Sequence, residues 1–219
     1  MIDIVREIKA TQREVGERAA DAGVVRSVQL SRDFDSPIED VWAAFASPDR
    51  LGRWFLPVSG DFRLGGSYQF EGNAGGRIVE CDRPSSFKVT WFYGEVPADA
   101  ISEVEVHLSA LDEGRTRLDF VHSATVPQEQ WDQFGPGAVG VGWDGGILGL
   151  ALHLAGGADR PADIEAWQVS TEGREFYRLS SEAWGAANLA SGADPEAVAT
   201  GVRNTTGFYA PEPETAAPA

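Results

Sequence analysis

Apolar positions along this chain follow two periods, and the switches between them mark the elements. At the start, Ile4, Ile8, Thr11 and Val15 recur at helical spacing with charge around them, so residues 3 to 21 are expected as one amphipathic helix. A free helix of that kind is marginal, so it is expected to dock on the body or on a second subunit. Val24 to Phe34 then alternates and predicts a strand. In DSPIEDVWAAFASPDRLGRWF, Ser36 to Glu39 reads as a capping box with proline at the first helical position. Val41, Trp42, Phe45 and Ala46 form the buried stripe of that helix. Ser47-Pro48 restarts the chain as a second short helix ending near Trp54-Phe55.

From residue 61 to 122 the period is two. Phe62 and Leu64 precede the hairpin signal Gly65-Gly66, and Tyr68 and Phe70 follow it. Ile78 to Cys81 is a strand, and Asp82 to Ser85, with Pro84, is a turn. Three longer alternations come next: Phe87, Val89, Trp91 and Tyr93; then Val104, Val106 and Leu108; then Leu118, Phe120 and His122. Consecutive strands with short turns predict an antiparallel meander with one dry face and one wet face.

The period then returns to helical. In Pro136 to Gly157, Val139, Trp143, Ile147, Leu150 and Leu154 share a face, and five glycines lie between Gly140 and Gly149. Each glycine costs about 1 kcal/mol of helix propensity relative to alanine, so packing must hold the segment. Its bare positions leave room for a neighbouring element or a bound molecule to approach the backbone. We expect this helix to lie across a curved sheet. Beyond Ala158, one or two helices are expected within Asp163 to Ser191, with Trp167, Phe176 and Trp184 as anchors. Another short helix opens at Asp194-Pro195-Glu196, with Phe208 as a further anchor. PEPETAAPA reads as a disordered tail. The expected organisation is an N-terminal helix (1–22), a body (23–157), a helical extension (158–210) and a tail (211–219).

Charge and chemistry narrow the function classes. The 34 acidic against 18 basic residues give a formal charge of -16, which repels phosphate backbones and anionic lipid, so neither nucleic acid nor membrane is an expected partner. No apolar run is expected to reach the ~18 residues of a membrane span. The single cysteine, Cys81, excludes an intrachain disulfide and fits a reducing cytoplasm; it reads as a small buried hydrophobe. Three histidines and one cysteine at 81, 107, 122 and 153 have no metal-ligand spacing, and no cofactor is expected. His107 and His153 are expected at the surface. Gly140-Val141-Gly142-Trp143-Asp144-Gly145 matches G-x-G-x-x-G formally, but no strand precedes it and a tryptophan sits inside it, so dinucleotide binding is rejected.

The order strand, two short helices, long meander, long helix resembles the START-like or SRPBCC superfamily, the helix-grip fold. The branch it resembles most is that of the activator of heat-shock protein 90 ATPase. Three clusters carry the resemblance: Arg32 to Phe45, with its Pro37 to Trp42 strand-to-helix opening; Leu51-Gly52-Arg53-Trp54-Phe55, followed by a strand pair with Gly65-Gly66; and Gly142-Trp143 in the last helix, after a meander ending near a histidine. The resemblance implies an α+β architecture, with an antiparallel sheet of about seven strands wrapped round the long helix. Here a helical C-terminal extension is added. It also implies a cavity at the seam for an apolar molecule.

On that reading the ligand-binding candidates are Trp54, Phe62, Tyr68, Phe70, Ile78, Trp91, Tyr93, Phe120, His122, Trp143, Ile147 and Leu150, around a small apolar or aromatic ligand. The preferred expectation is binding without catalysis. The alternatives are a cyclase, dehydratase or hydrolase using His122 with Tyr93 or Glu80 as proton carriers, and an interaction module with the chaperone partner that the family name suggests. A homodimer stays open.

Overall fold

The meander forms, and it is one strand wider than expected. The computed structural model describes residues 2–20, 23–95, 99–156, 160–161 and 163–211. The chain begins with a short helix α1 (Ile4–Lys9) and strands β1 (Gln12–Ala20) and β2 (Gly23–Phe34). Helices α2 (Ile38–Ala46) and α3 (Pro48–Trp54) follow, then β3 (Val58–Gly60), β4 (Ser67–Phe70), β5 (Gly75–Asp82), β6 (Ser86–Thr90), β7 (Ser102–Asp112) and β8 (Arg115–Thr125). The C-terminal part is α4 (Gln128–Phe134), the long α5 (Gly137–Leu154), α6 (Ile164–Val169), α7 (Thr171–Ala190) and α8 (Pro195–Tyr209). The sheet is antiparallel, in the order β1-β2-β8-β7-β6-β5-β4-β3.

The eighth strand corrects the expected N-terminal helix. Only Ile4 to Lys9 is helical, with Ile4 and Ile8 buried. Gln12 to Ala20 instead pairs with β2, from Gln12 opposite Ser31 to Ala20 opposite Gly23. A lone amphipathic helix is marginal, whereas a strand added to a sheet edge satisfies its backbone at every second residue. Val15 fits a period of two as well as it fits 3.6, which is why its spacing misled. The expected tail lies, from residue 212 on, outside the described residues.

Inward positions line up across the sheet as the alternation predicts. Val28 and Val104 flank His122, Val89 sits opposite Val104, and Ile78 sits opposite Val89. In the next row Leu30 and Val106 flank Phe120, and Phe87 sits opposite Val106. Such cross-strand pairs are the units that hold a sheet.

Two local expectations change. Helix α2 is capped by Pro37 with no side-chain bond, so the capping box does not form; Ser36 turns its carbonyl to accept from Thr116 Oγ1 at 2.7 Å. At α3 the proline restart does form, with Ser47 Oγ accepting from the Arg50 N–H and Pro48 in the first turn.

The long helix α5 has no single wet face. It is 18 residues long and apolar enough by length and composition to cross a membrane, against the expectation that no such run exists. Half of it is buried within the fold, and it carries the buried Asp144. A helix apolar all round is a core helix, covered on more than one side. Its second cover is the extension: α7 packs on α5, α1 and β1, with Phe176 and Trp184 essentially inaccessible. Gly140 makes this approach fit, since a methyl group there would run into the Trp184 indole. Gly149 likewise admits the backbone of Trp54. Phe208, expected as an anchor, is 67% exposed.

Asp144 ties these layers together. Its carboxylate accepts from Arg13 Nε at 2.9 Å, Ser180 Oγ at 2.5 Å and Trp184 Nε1 at 3.1 Å. Arg13 also donates Nη1 to the carbonyls of Ile8 and Thr11. Burial pushes the Asp144 carboxyl upward, and the Arg13 guanidinium, Ser180 and Trp184 pull it back. The cluster joins β1, α5 and α7 at one point.

Candidate functional site

A cavity of about 200 Å³ lies between the sheet and α5, closed at one end by α2 and α3. The strand alternation delivers Phe120, Val106, Val104, Val89, Ile78 and Trp91 to its floor. Trp143, Gly146 and Ile147 on α5 face them, and Phe45, Leu51, Trp54 and Phe55 come from α2, α3 and the residue after it. The rings meet edge-on or tilted: Phe55 with Phe70 at 5.1 Å and 88°, Trp91 with Trp143 at 4.8 Å and 57°. Tilted aromatic contacts of this kind are favourable, yet flat rings at mixed angles do not fill the space.

Nine of the sequence-derived candidates line this cavity: Trp54, Phe62, Tyr68, Phe70, Ile78, Trp91, Phe120, Trp143 and Ile147. Tyr68 is committed to structure. Its hydroxyl donates to the Thr90 carbonyl at 2.6 Å, and burial raises its pKa well above the ordinary phenol value.

Three candidates fall elsewhere. Leu150 is wholly buried and is not among the residues that line this cavity. Tyr93 is 67% exposed: β6 ends at Thr90 and the alternation breaks before it reaches Tyr93. His122 points inward as expected but lies behind Trp143. Its Nδ1 accepts from Trp143 Nε1 at 3.0 Å, so the ring proton is on Nε2, 3.1 Å from Ser102 Oγ. Burial lowers its pKa from 6.5 to about 4.

The proposed proton partners of His122 are not assembled. Glu80 is exposed and 3.7 Å from Lys88, because β5 shifts register between Ile78 and Glu80 and that irregularity turns Glu80 out of the inward row. His107 is exposed beside Glu105, as expected. His153, expected at the surface, is half-buried and accepts from Arg50 Nε at 3.0 Å.

A second, outer groove of about 480 Å³ lies on the far side of a thin aromatic wall. Phe55 and Trp143 stack at 6.0 Å and 12°, and together with Trp91 they face both spaces. The groove is covered by the extension through Trp167, Tyr177 and Tyr209; Gly142, Gly145 and Gly149 of α5, Tyr93 and His122 also line it. The glycine-rich face of α5 therefore serves helix packing at Gly140 and an open groove at Gly145, where a side chain would meet nothing within 4 Å.

The mouth of the inner cavity, where its lining reaches the surface, holds residues that the sequence did not propose as ligand contacts. Trp42 of α2, Cys81 of β5, Phe87 of β6 and Arg83 of the connection between those strands line it. Cys81, expected to be buried, is exposed there. The Arg83 guanidinium lies 5.8 Å from the centre of the Trp42 ring. The Trp42 indole N–H is buried and has no partner among the described residues, a deficit of about 1–3 kcal/mol. Trp42 read as a core residue of the α2 stripe, and nothing in its spacing signalled an unpaired donor.

A grip of antiparallel sheet on one long helix, with an apolar cavity at the seam, defines the helix-grip class. The sequence model for activator of Hsp90 ATPase homolog 1-like proteins matches residues 35–151, more than half of the chain, and the chain belongs to that family. CalU16 from Micromonospora echinospora is 31% identical. Its crystal structure aligns over 84% of this chain and 99% of its own at a TM-score of 0.63, and its solution structure over 84% and 97% at 0.65. That coverage exceeds what the sheet and long helix alone could supply, so part of the extension is common to both. DynU16, described as a putative protein in the dynemicin biosynthetic locus, shares the fold at 19% identity and a TM-score of 0.54, over 63% of this chain and 50% of its own. No curated protein matches the sequence.

Proposed function

We propose that the protein binds a small apolar or aromatic molecule in the inner cavity and releases it unaltered. The observation that carries this reading is the unfilled space of about 200 Å³ walled by aromatic and branched aliphatic side chains. An apolar cavity of about 150 Å³ already takes up benzene, so this volume suits a body of one or two fused rings. Binding without turnover is favoured because the one inward histidine has both ring nitrogens engaged and its pKa lies near 4. Neither Glu80 nor Tyr93 is placed to exchange a proton with it. The reading includes a cytoplasmic setting, in which the exposed Cys81 stays a free thiol.

Calorimetric titration of the full chain with 2-naphthamide tests it. One site per chain is expected, lost in Ala46→Phe, which puts a ring into the cavity from the end of α2. Heat unchanged by Ala46→Phe would place the probe elsewhere and overturn the reading.

A further inference from the structure

We propose that the molecule taken up by the inner cavity is an acid: an apolar ring body whose carboxylate sits at the cavity mouth between Arg83 and the indole N–H of Trp42. This rests on the cavity being a binding site and adds the chemistry of what it selects.

Two independent observations meet at that mouth. The first is the orphaned donor. Trp42 is 5% exposed, lines the cavity, and its Nε1 has no acceptor among the described residues. Buried N–H groups are nearly always paired; of the three buried side-chain donors without a partner among the described residues, the indole N–H of Trp42 is the one that belongs to a residue lining this cavity, so a ligand there could supply its acceptor. The second is the unneutralised cation. Arg83 is the one charged residue in the described lining of the inner cavity, and its guanidinium lies over the Trp42 ring. Among the described residues it makes no hydrogen bond or ion pair. No carboxylate pairs with it among the described residues, although the chain has 34 acidic and 18 basic residues. Lys88, by contrast, lies within 4 Å of Glu80, Glu103 and Glu105.

Among the described side chains, the mouth thus offers two kinds of donor and no carboxylate. A guanidinium presents parallel N–H groups that match the two oxygens of a carboxylate, and the indole N–H is a donor only. The remaining lining is aromatic and aliphatic apart from the Cys81 thiol and the Tyr68 hydroxyl, which is already bonded to Thr90. A ligand that satisfies the whole site is apolar at one end and anionic at the other. The cation also offsets, at the entrance, the repulsion that the net charge of -16 exerts on any anion.

The test compares 2-naphthoate with its neutral isostere 2-naphthamide by calorimetry on the full chain. The wild type is expected to bind naphthoate more tightly by roughly tenfold, as for a hydrogen bond to a charged group, with the preference shrinking as salt is raised. Arg83→Gln, at an exposed position where folding is not at stake, is expected to abolish that preference and leave amide binding in place. Trp42→Phe removes that donor together with part of a buried ring, so it is expected to lower stability modestly and to weaken naphthoate binding several-fold relative to 2-naphthamide binding by the same variant. Equal affinities in the wild type, or a preference that survives Arg83→Gln, would overturn the carboxylate assignment while leaving the cavity reading intact. If the wild type binds neither compound, both fall.

Discussion

The indole N–H of Trp143 on α5 donates to Nδ1 of His122 on β8 across 3.0 Å, and this bond holds the wall between the two cavities. Trp143→Phe keeps an aromatic ring, though one smaller than the indole, and leaves the His122 nitrogen buried without a donor. A stability loss of about 1–3 kcal/mol is expected, read by denaturant unfolding. A loss no larger than that of a surface substitution would mean that the bond does not form.

The burial of His122 has a pH signature. In the unfolded chain the His122 ring titrates near 6.5; folded, burial lowers this to about 4. Between those values the unfolded state holds a proton that the folded state does not, so stability rises with pH across the window. The contribution is complete above about pH 6.5 and is lost as pH falls toward about 4, on the order of 3 kcal/mol in all. Unfolding measured from about pH 7.5 down to about pH 5 should steepen in the wild type relative to His122→Gln. Parallel profiles would contradict the assignment.

Asp144 is the joint between β1, α5 and α7. Asp144→Ala leaves the Arg13 guanidinium, itself 6% exposed, without its counter-charge. The expected cost is about 3–5 kcal/mol. The double variant Arg13→Met/Asp144→Leu removes both charges and should recover much of that stability. If the double variant is as unstable as the single one, desolvated charge is not the cause.

Two neighbouring glycines on α5 should respond in opposite ways. Gly140→Ala drives a methyl into Trp184 and should destabilise by about 1–3 kcal/mol. Gly145→Ala meets open space and should stabilise by up to about 1 kcal/mol through helix propensity. Thermal denaturation of the pair distinguishes packing against α7 from a general tolerance of the glycine-rich segment.

Much of the fold was legible because one face of each strand is buried. Val104, Val106 and Leu108, or Leu118, Phe120 and His122, can alternate as they do only on a sheet with a dry side, and those rows locate the cavity floor. Four features were not legible, for different reasons. β1 is a strand by pairing with β2, and pairing is long-range information that the ambiguous spacing of Val15 could not carry. Glu80 shares the register of Ile78 when positions are counted in twos, and one register shift in β5 defeats such counting. Asp144 lay in plain view inside a rejected glycine motif; its partners Arg13, Ser180 and Trp184 are 131, 36 and 40 positions away, so only the fold brings them together. Trp42 read only as a core position and Arg83 not at all for a related reason, since an unpaired donor is defined by what surrounds it and not by its own position.

Crystals of the protein soaked with 2-naphthoate give the decisive measurement. Ring density is expected inside the seam, between Phe70, Trp91, Phe120 and Ile147, with the carboxylate at Arg83 and Trp42. A seam that stays empty at saturating ligand, or density confined to the outer surface, would contradict that placement.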